Sequence, residues 1–261
     1  MLNFMTLKSK KILTTGTSRG FGKFIAKKLN TYKFDRSLKL CDLDKSYDVI
    51  IHCASNSSKS ILSKNFYKFS YDNFFLTTEL LNLNFKHFIF ISSIGVYPQS
   101  HKVYNEESNF KIKTRNNYEF FKIMSENFIQ KSSKRFTILR VAGLLDKSSR
   151  INSIQKIIAN NNQRISLSSS STLNYILYED LLNFIEIIIK KKKFGIFNVS
   201  ANKNIKLNDL KKSLNLSNVK FGSYDYITPK VDNTKAKKVY ANLKLTTYQN
   251  IKKYLKKNKE N

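Results

Sequence analysis

Tyr118 and Lys122 stand four positions apart in the stretch "NNYEFFKIM", so on a helix both side chains project from one face. A phenol beside an ammonium is a proton-transfer device. A free phenol ionises near ~10, about three pH units too high for a base at neutral pH, so roughly 4 kcal/mol of differential stabilisation is needed. A nearby cation supplies it by favouring the phenolate. The letters alone decide little. With 14 Tyr and 40 Lys in 261 residues, chance gives about two such pairs. The chain holds four, the others being Tyr226 with Lys230, Tyr240 with Lys244 and Tyr248 with Lys252. Only the first follows a strand end of the type "ISS", with Ser93 25 positions before the tyrosine. The same stretch also reads as an amphipathic helix whose Phe120, Phe121, Ile123 and Met124 face a core.

Those side chains need elements to hold them, and the chain alternates short apolar runs with helical segments. "KKILTTG" reads as a strand entering a glycine turn, and "FGKFIAKKLN" as a helix. "YDVIIHCAS" is a buried strand, "YDNFFLTTELLNLN" a helix, "HFIFISS" a strand, "NYEFFKIMSENFIQK" a helix and "RFTILRVAG" a strand. Such alternation predicts an α/β fold, a doubly wound parallel sheet with helices on both faces that binds ligands at the carboxyl ends of its strands. The turn "GTSRGFG" places Gly16, Gly20 and Gly22, three of only seven glycines, between the first strand and a helix. Glycines there permit a tight turn and close approach of backbone to a pyrophosphate at the helix N-terminus. The expected division is residues 8–165 for the nucleotide-binding domain and 166–261 for a small C-terminal substrate lobe, with 172–200 returning to the sheet.

In order, "TTGTSRGFG", "DVIIHCAS", "FIFISSIGVY", Tyr-x-x-x-Lys, "ILRVAG", "LNYILYEDLLNFIEIII" and "GIFNVS" resemble the extended short-chain dehydrogenase/reductases, the NAD-dependent epimerase/dehydratase family. The resemblance spans nearly the whole chain and implies a Rossmann-type fold. It makes Tyr118 the proton carrier for hydride transfer, Ser93 the holder of the reacting oxygen and Lys122 the cation that lowers the phenol and meets the nicotinamide ribose. The cofactor would be NAD or NADP, held by Gly16, Ser18, Arg19, Gly20, Phe21, Gly22, Asp42, Leu43, Cys53, Ala54, Ser55, Asn73 and Lys122. Asp42 is the acid expected to close strand two, though "LKLCDLDKSYD" also reads as a third strand. Arg19 and Arg36 tilt the choice slightly towards NADP. His52 is expected beside the cofactor rather than as a base, and His87 and His101 carry no role. Ile94 and Gly95 stand where dehydratases of the family place an acidic pair, which leaves epimerases and 4-keto reductases of nucleotide sugars. Arg150, Arg164 and Asn174 are candidate substrate contacts. Asn116 and Asn117 replace the proline usual before the tyrosine, which predicts a looser entry into the helix. A non-catalytic regulatory or scaffold protein of the same fold is the alternative.

Composition narrows the rest. The net charge of +29 invites a nucleic-acid reading, but lysines outnumber arginines 40 to 7 and are scattered along the chain, so neither a nucleic-acid nor a membrane partner is expected. The two cysteines, Cys41 and Cys53, lack disulfide or zinc spacing and suit a reducing cytoplasm. No apolar run approaches a membrane span, and the N-terminus lacks the layout of a secretory signal. The partner expected is a small-molecule substrate, with a homodimer possible.

Overall fold

Six parallel strands form the centre of the protein: β1 Ile12–Thr15, β2 Tyr32–Phe34, β3 Ser46–His52, β4 Asn84–Ser93, β5 Phe136–Val141 and β6 Gly195–Val199. They are ordered β6-β5-β4-β3-β1-β2. The computed structural model describes residues 7–100, 102–110, 116–132, 135–159 and 164–259; residues 1–6 and His101 lie outside them. The chain leaves β1 for the edge strand β2 and then crosses to β3 on the other side of β1. The order therefore reverses between β1 and β3, and the crevice above that point is where such sheets bind ligands.

Alternation along the strands sends side chains to two layers. Ile12, Val49, Ile51, Ile89 and Leu139 pack with Phe21 and Ile25 of α1 (Gly20–Leu29) and with Leu181, Ile185 and Ile188 of α5 (Tyr178–Lys190). Leu13, Ile50, Phe88, Phe90 and Ile138 face the opposite way. They meet Leu76 and Leu80 of α3 (Leu76–Leu80) and Ile129 of α4 (Asn117–Ser132). Each fully buried Ile or Phe contributes about 1.5–3 kcal/mol. A helix α2 (Phe66–Ser70) runs into α3 through a single π turn, Tyr71–Phe75. The link from β2 to β3 holds only one 3₁₀ turn, Leu40–Asp42. That link is too short for a further strand and helix, so β2 stays at the sheet edge.

A second apolar cluster gathers Leu145, Ile154, Ile157, Ile165, Leu167, Leu173, Ile205, Leu207, Leu210, Val219 and Ile251. It begins at Leu145, ahead of the 165/166 division expected from sequence, because the pairing of Gly143–Leu145 with Tyr175–Leu177 draws the chain out of the sheet as soon as β5 ends. Helix α5 and β6 lie on and in the main sheet. Among the described residues no helix is long and apolar enough to cross a membrane, and no group of three or more His, Cys, Asp or Glu is arranged to hold a metal ion.

Helix α4 departs from simple amphipathicity. Its inward face carries Lys122, Ser125, Glu126 and Ile129, all buried, while Phe120 is 43% exposed and Met124 half-buried. Phe121 and Ile123 are buried as expected. The core-facing assignment of Phe120 fails because the polar Tyr118-Lys122-Glu126 row, not the phenylalanines, sets the inner face. Asn116 caps the helix, its Oδ1 accepting from Glu119 N at 3.0 Å. A capping Asn satisfies a free N–H of the first turn, so the entry is fixed without the proline.

Candidate active site

The carboxyl ends of β1, β3, β4 and β5 open onto a groove of about 1200 Å³. Gly16, Ser18, Arg19, Gly20, Phe21 and Gly22 line it from the first turn, and Cys53, Ala54 and Ser55 from the end of β3. Ser92, Ser93 and Tyr118 complete the inner wall. Two positions in the turn require glycine. Gly16 has φ +71°, and a Cβ there would stand 2.8 Å from the Ala54 backbone. A Cβ on Gly22 would lie 2.3 Å from Gly16 O. Helix α1 starts with no side-chain cap, so its first N–H groups face the groove free. The buried Thr17 Oγ1 also lacks a partner among the described residues. A tight glycine turn, an open helix N-terminus and the basic Arg19 beside it fit the pyrophosphate of a dinucleotide.

Lys122 is buried beneath the groove. Its Nζ donates to Ile91 O at 2.7 Å and sits 4.5 Å from the Phe90 ring centre and 5.6 Å from that of Tyr118. Burial pulls its amine down to about 8, against the pull of the Cys53 and Glu126 side chains. Tyr118 behaves otherwise than its sequence suggested. Burial holds its phenol above the usual 10, the Ser55 hydroxyl opposes that by hydrogen bonding, and Glu119 reinforces it. A cation that is itself short of solvent and bonded to a backbone carbonyl does not bring the phenol down here, so Tyr118 stays protonated at neutral pH. Ser93 Oγ accepts from Gly95 N at 3.0 Å, which leaves its hydroxyl hydrogen free to donate.

Beneath these groups runs a buried polar chain. Ser92, Arg140 and Asn198 are register partners across β4, β5 and β6. Ser92 Oγ donates to Glu126 Oε1 at 2.5 Å, and Arg140 Nη2 to Glu126 Oε2 at 2.7 Å. Arg140 Nη1 donates to Tyr97 Oη at 2.6 Å, and Tyr97 Oη to Asn198 Oδ1 at 2.9 Å. Burial works against the Arg140 charge, but the Glu126 carboxylate and the Tyr97 hydroxyl together more than offset it, and the guanidinium is held above its ordinary value. The network ties α4, which carries Tyr118 and Lys122, to the strand that carries Ser93.

Several expected site residues lie elsewhere. Asp42 does not close strand two. It ends the 3₁₀ turn, exposed, with Oδ2 accepting from Lys39 N at 2.8 Å, and the neighbouring Leu43 packs against the apolar layer below. The acid after β2 is Asp35, which lines the groove with Arg36. Asp35 follows Gly16 by 19 positions, close to the roughly 20 at which a ribose-binding acid is found, so spacing pointed to it. Two Ser37 bonds, from its hydroxyl and its N–H, hold the Asp35 carboxyl below the usual range. Asn73 is 4% exposed and structural: its Oδ1 accepts from Asn56 N, and its Nδ2 donates to Asn56 O and Phe69 O. It braces the loop after β3 rather than lining the groove. His52 is locked between Thr15 and Thr77 at 2.7 and 2.9 Å, and burial with the Lys122 charge drives it down to about 3. It is therefore neutral. His87 bonds Thr137 at 2.7 Å within the core, and burial pushes the Cys53 thiol up to about 12. Of the substrate candidates, Arg150 lines the groove beside Ser148 and Ser149. Asn174 is occupied by Ala201 and Asn204, and Arg164 lies exposed on the strand Arg164–Leu167 of the small lobe. Tyr178, at the start of α5, faces the groove and had no signal in the sequence.

A parallel, doubly wound sheet with a glycine turn at its reversal point is the Rossmann-type architecture. The chain belongs to the NAD dependent epimerase/dehydratase family, whose profile matches residues 10–199. Solved structures extend the likeness over the small lobe. MoeE5, in complex with UDP-glucose and NAD, superposes with TM-score 0.76 at 14% identity, covering 95% of this chain and 99% of that one. The dTDP-4-dehydrorhamnose reductase of Bacillus anthracis with NADP gives 0.75 at 17%, with 95% and 99% covered. The ADP-L-glycero-D-manno-heptose-6-epimerase of Helicobacter pylori gives 0.75 at 18%, with 95% and 96% covered. At these identities the likeness is one of fold. Comparison with curated proteins gives no significant sequence match.

Proposed function

We propose that this chain is an NAD(P)-dependent epimerase or 4-keto reductase acting on a nucleotide sugar, with Tyr118 as general acid and base. The observation that carries the reading is convergence: Ser93, Tyr118 and the glycine turn line one groove, with Lys122 directly beneath. The nicotinamide of a bound cofactor supplies or accepts the hydride. Ser93 donates its free hydroxyl hydrogen to the reacting oxygen and orients it. Tyr118, protonated at neutral pH, delivers a proton as that oxygen gains charge and recovers it in the reverse sense. Lys122 holds a positive charge against the developing phenolate. Arg150, with Ser148 and Ser149, stands at the lobe side of the groove, where it suits the diphosphate of a nucleotide sugar. Dehydration is disfavoured, since Ile94 and Gly95 are buried in the 3₁₀ turn after Ser93.

The reading includes a cytoplasmic location, in keeping with two free thiols, and a homodimer. Its test is purification followed by identification of any retained nucleotide, with turnover measured on nucleotide-sugar substrates. Tightly held NAD supports an epimerase, and an NADPH-exchanging site a reductase. Tyr118→Phe is expected to abolish turnover and leave cofactor affinity intact; turnover that survives the substitution removes Tyr118 from the mechanism.

A further inference from the structure

The aromatic ring of Tyr178 packs edge-on against Phe21 and Phe24 of α1, with ring centres 5.3 Å apart in both pairs. Phenylalanine would serve that packing equally. The hydroxyl needs a separate reason: although Tyr178 as a whole is only 4% exposed, it lines the groove and its Oη is not shut off from water there. Its position supplies one. Tyr178 lines the groove, and a Cβ built on Gly20, the first residue of α1, would lie 3.7 Å from its Oη. A buried hydroxyl without a partner among the described residues, Thr17 Oγ1, belongs to the same turn, and such groups in folded proteins mark strain or a missing ligand. Two hydroxyls, one of them buried and unbonded, thus stand at a helix N-terminus that has no side-chain cap.

We propose that Tyr178, reaching from α5 across to the glycine turn, donates a hydrogen bond to the diphosphate of the bound dinucleotide at the N-terminus of α1. The assignment rests on the NAD(P) reading above and adds to it a binding residue from α5, the helix packed beside α1 on the same face of the sheet. Burial, with smaller effects from Asp146 and Cys53, pushes the phenol up to about 12, so the hydroxyl stays a donor throughout the physiological range. Thr17 is the second donor available at the turn. Neither hydroxyl touches the Ser93-Tyr118-Lys122 group, so their contribution is to affinity rather than to proton transfer.

The test is the dissociation constant of the full-length protein for NAD, NADP and ADP-ribose, compared with Tyr178→Phe and Thr17→Val. Tyr178→Phe keeps the ring packing and is expected to weaken all three ligands by on the order of tenfold or more, the usual range for a lost bond to a charged group. Its melting temperature without nucleotide should be unchanged, since the ring packing is kept. Tyr178→Phe with parental affinity for all three ligands overturns the assignment while leaving the cofactor reading standing. A parent protein that binds none of the three overturns the cofactor reading itself, and this assignment with it.

Discussion

Replacing Lys122 by methionine should stabilise the fold near neutral pH while removing a cation from the active site. The lysine is 3% exposed, and burial moves its amine from 10.5 to about 8. That displacement corresponds to roughly 3 kcal/mol. The charged form is disfavoured in the folded protein, so folding carries the full penalty below pH 8, where both states are protonated. Between pH 8 and 10.5 the unfolded chain holds the proton and the folded one does not, so stability rises with pH. Above 10.5 both are neutral and the penalty is gone. Methionine keeps the unbranched stem but loses the 2.7 Å bond to Ile91 O, worth about 1 kcal/mol. Lys122→Met is therefore expected to gain about 2 kcal/mol below pH 8, or a melting temperature higher by roughly 4–8 °C for a chain of this size. The advantage should shrink through pH 8–10.5 and reverse slightly above it. The remaining lysines titrate alike in both proteins and cancel in the difference. Thermal or urea unfolding of the pair at pH 7, 9 and 10.5 measures it. A variant less stable than the parent at pH 7, or a difference that does not change with pH, would refute the reasoning.

Three further outcomes follow from the same geometry. Glu126→Ala leaves the Arg140 guanidinium, 8% exposed, with Tyr97 as its one hydrogen-bond partner among the described residues, and urea titration should show a loss of about 3–5 kcal/mol. Gly16→Ala forces a side chain into a left-handed turn and against Ala54; a melting temperature equal to the parent's would contradict that contact. Asp72→Asn frees Arg36, whose Nη2 donates to Asp72 Oδ2 at 2.6 Å, and should improve the affinity for NADP relative to NAD several-fold, read from the two dissociation constants.

What could be read from sequence were the features whose physics is local. The glycine turn between a strand and a helix, the apolar runs of the strands and the four-residue Tyr118-to-Lys122 spacing depend on neighbours in the chain. Each reappears in its expected element. Helix α4 marks where local reading stops. Its inner face is polar, and Lys122, Ser125 and Glu126 are buried there only because Ile91, Asn73, Ser92 and Arg140 arrive from other elements to bond them. Hydrophobic periodicity, which assigns charged residues to solvent, therefore turned Phe120 the wrong way.

Long-range placement settled the rest. Spacing from Gly16 favours Asp35 over Asp42, but only the end of β2 at Phe34 sets Asp35 on the groove wall, with Asp72 and Glu79. Asn73 fits a cofactor-helix pattern, yet its amide is wholly taken by Asn56 and Phe69. The sign of the Tyr118 shift follows from burial around it, and Tyr178 reaches Gly20 from a helix more than 150 positions further along the chain. The sequence alone determined the family architecture and which residues could carry chemistry, because spacing and periodicity are properties of the chain. Only the tertiary structure decided their protonation, their partners and which acid meets the groove, because desolvation and hydrogen bonding depend on residues the chain brings together from far apart.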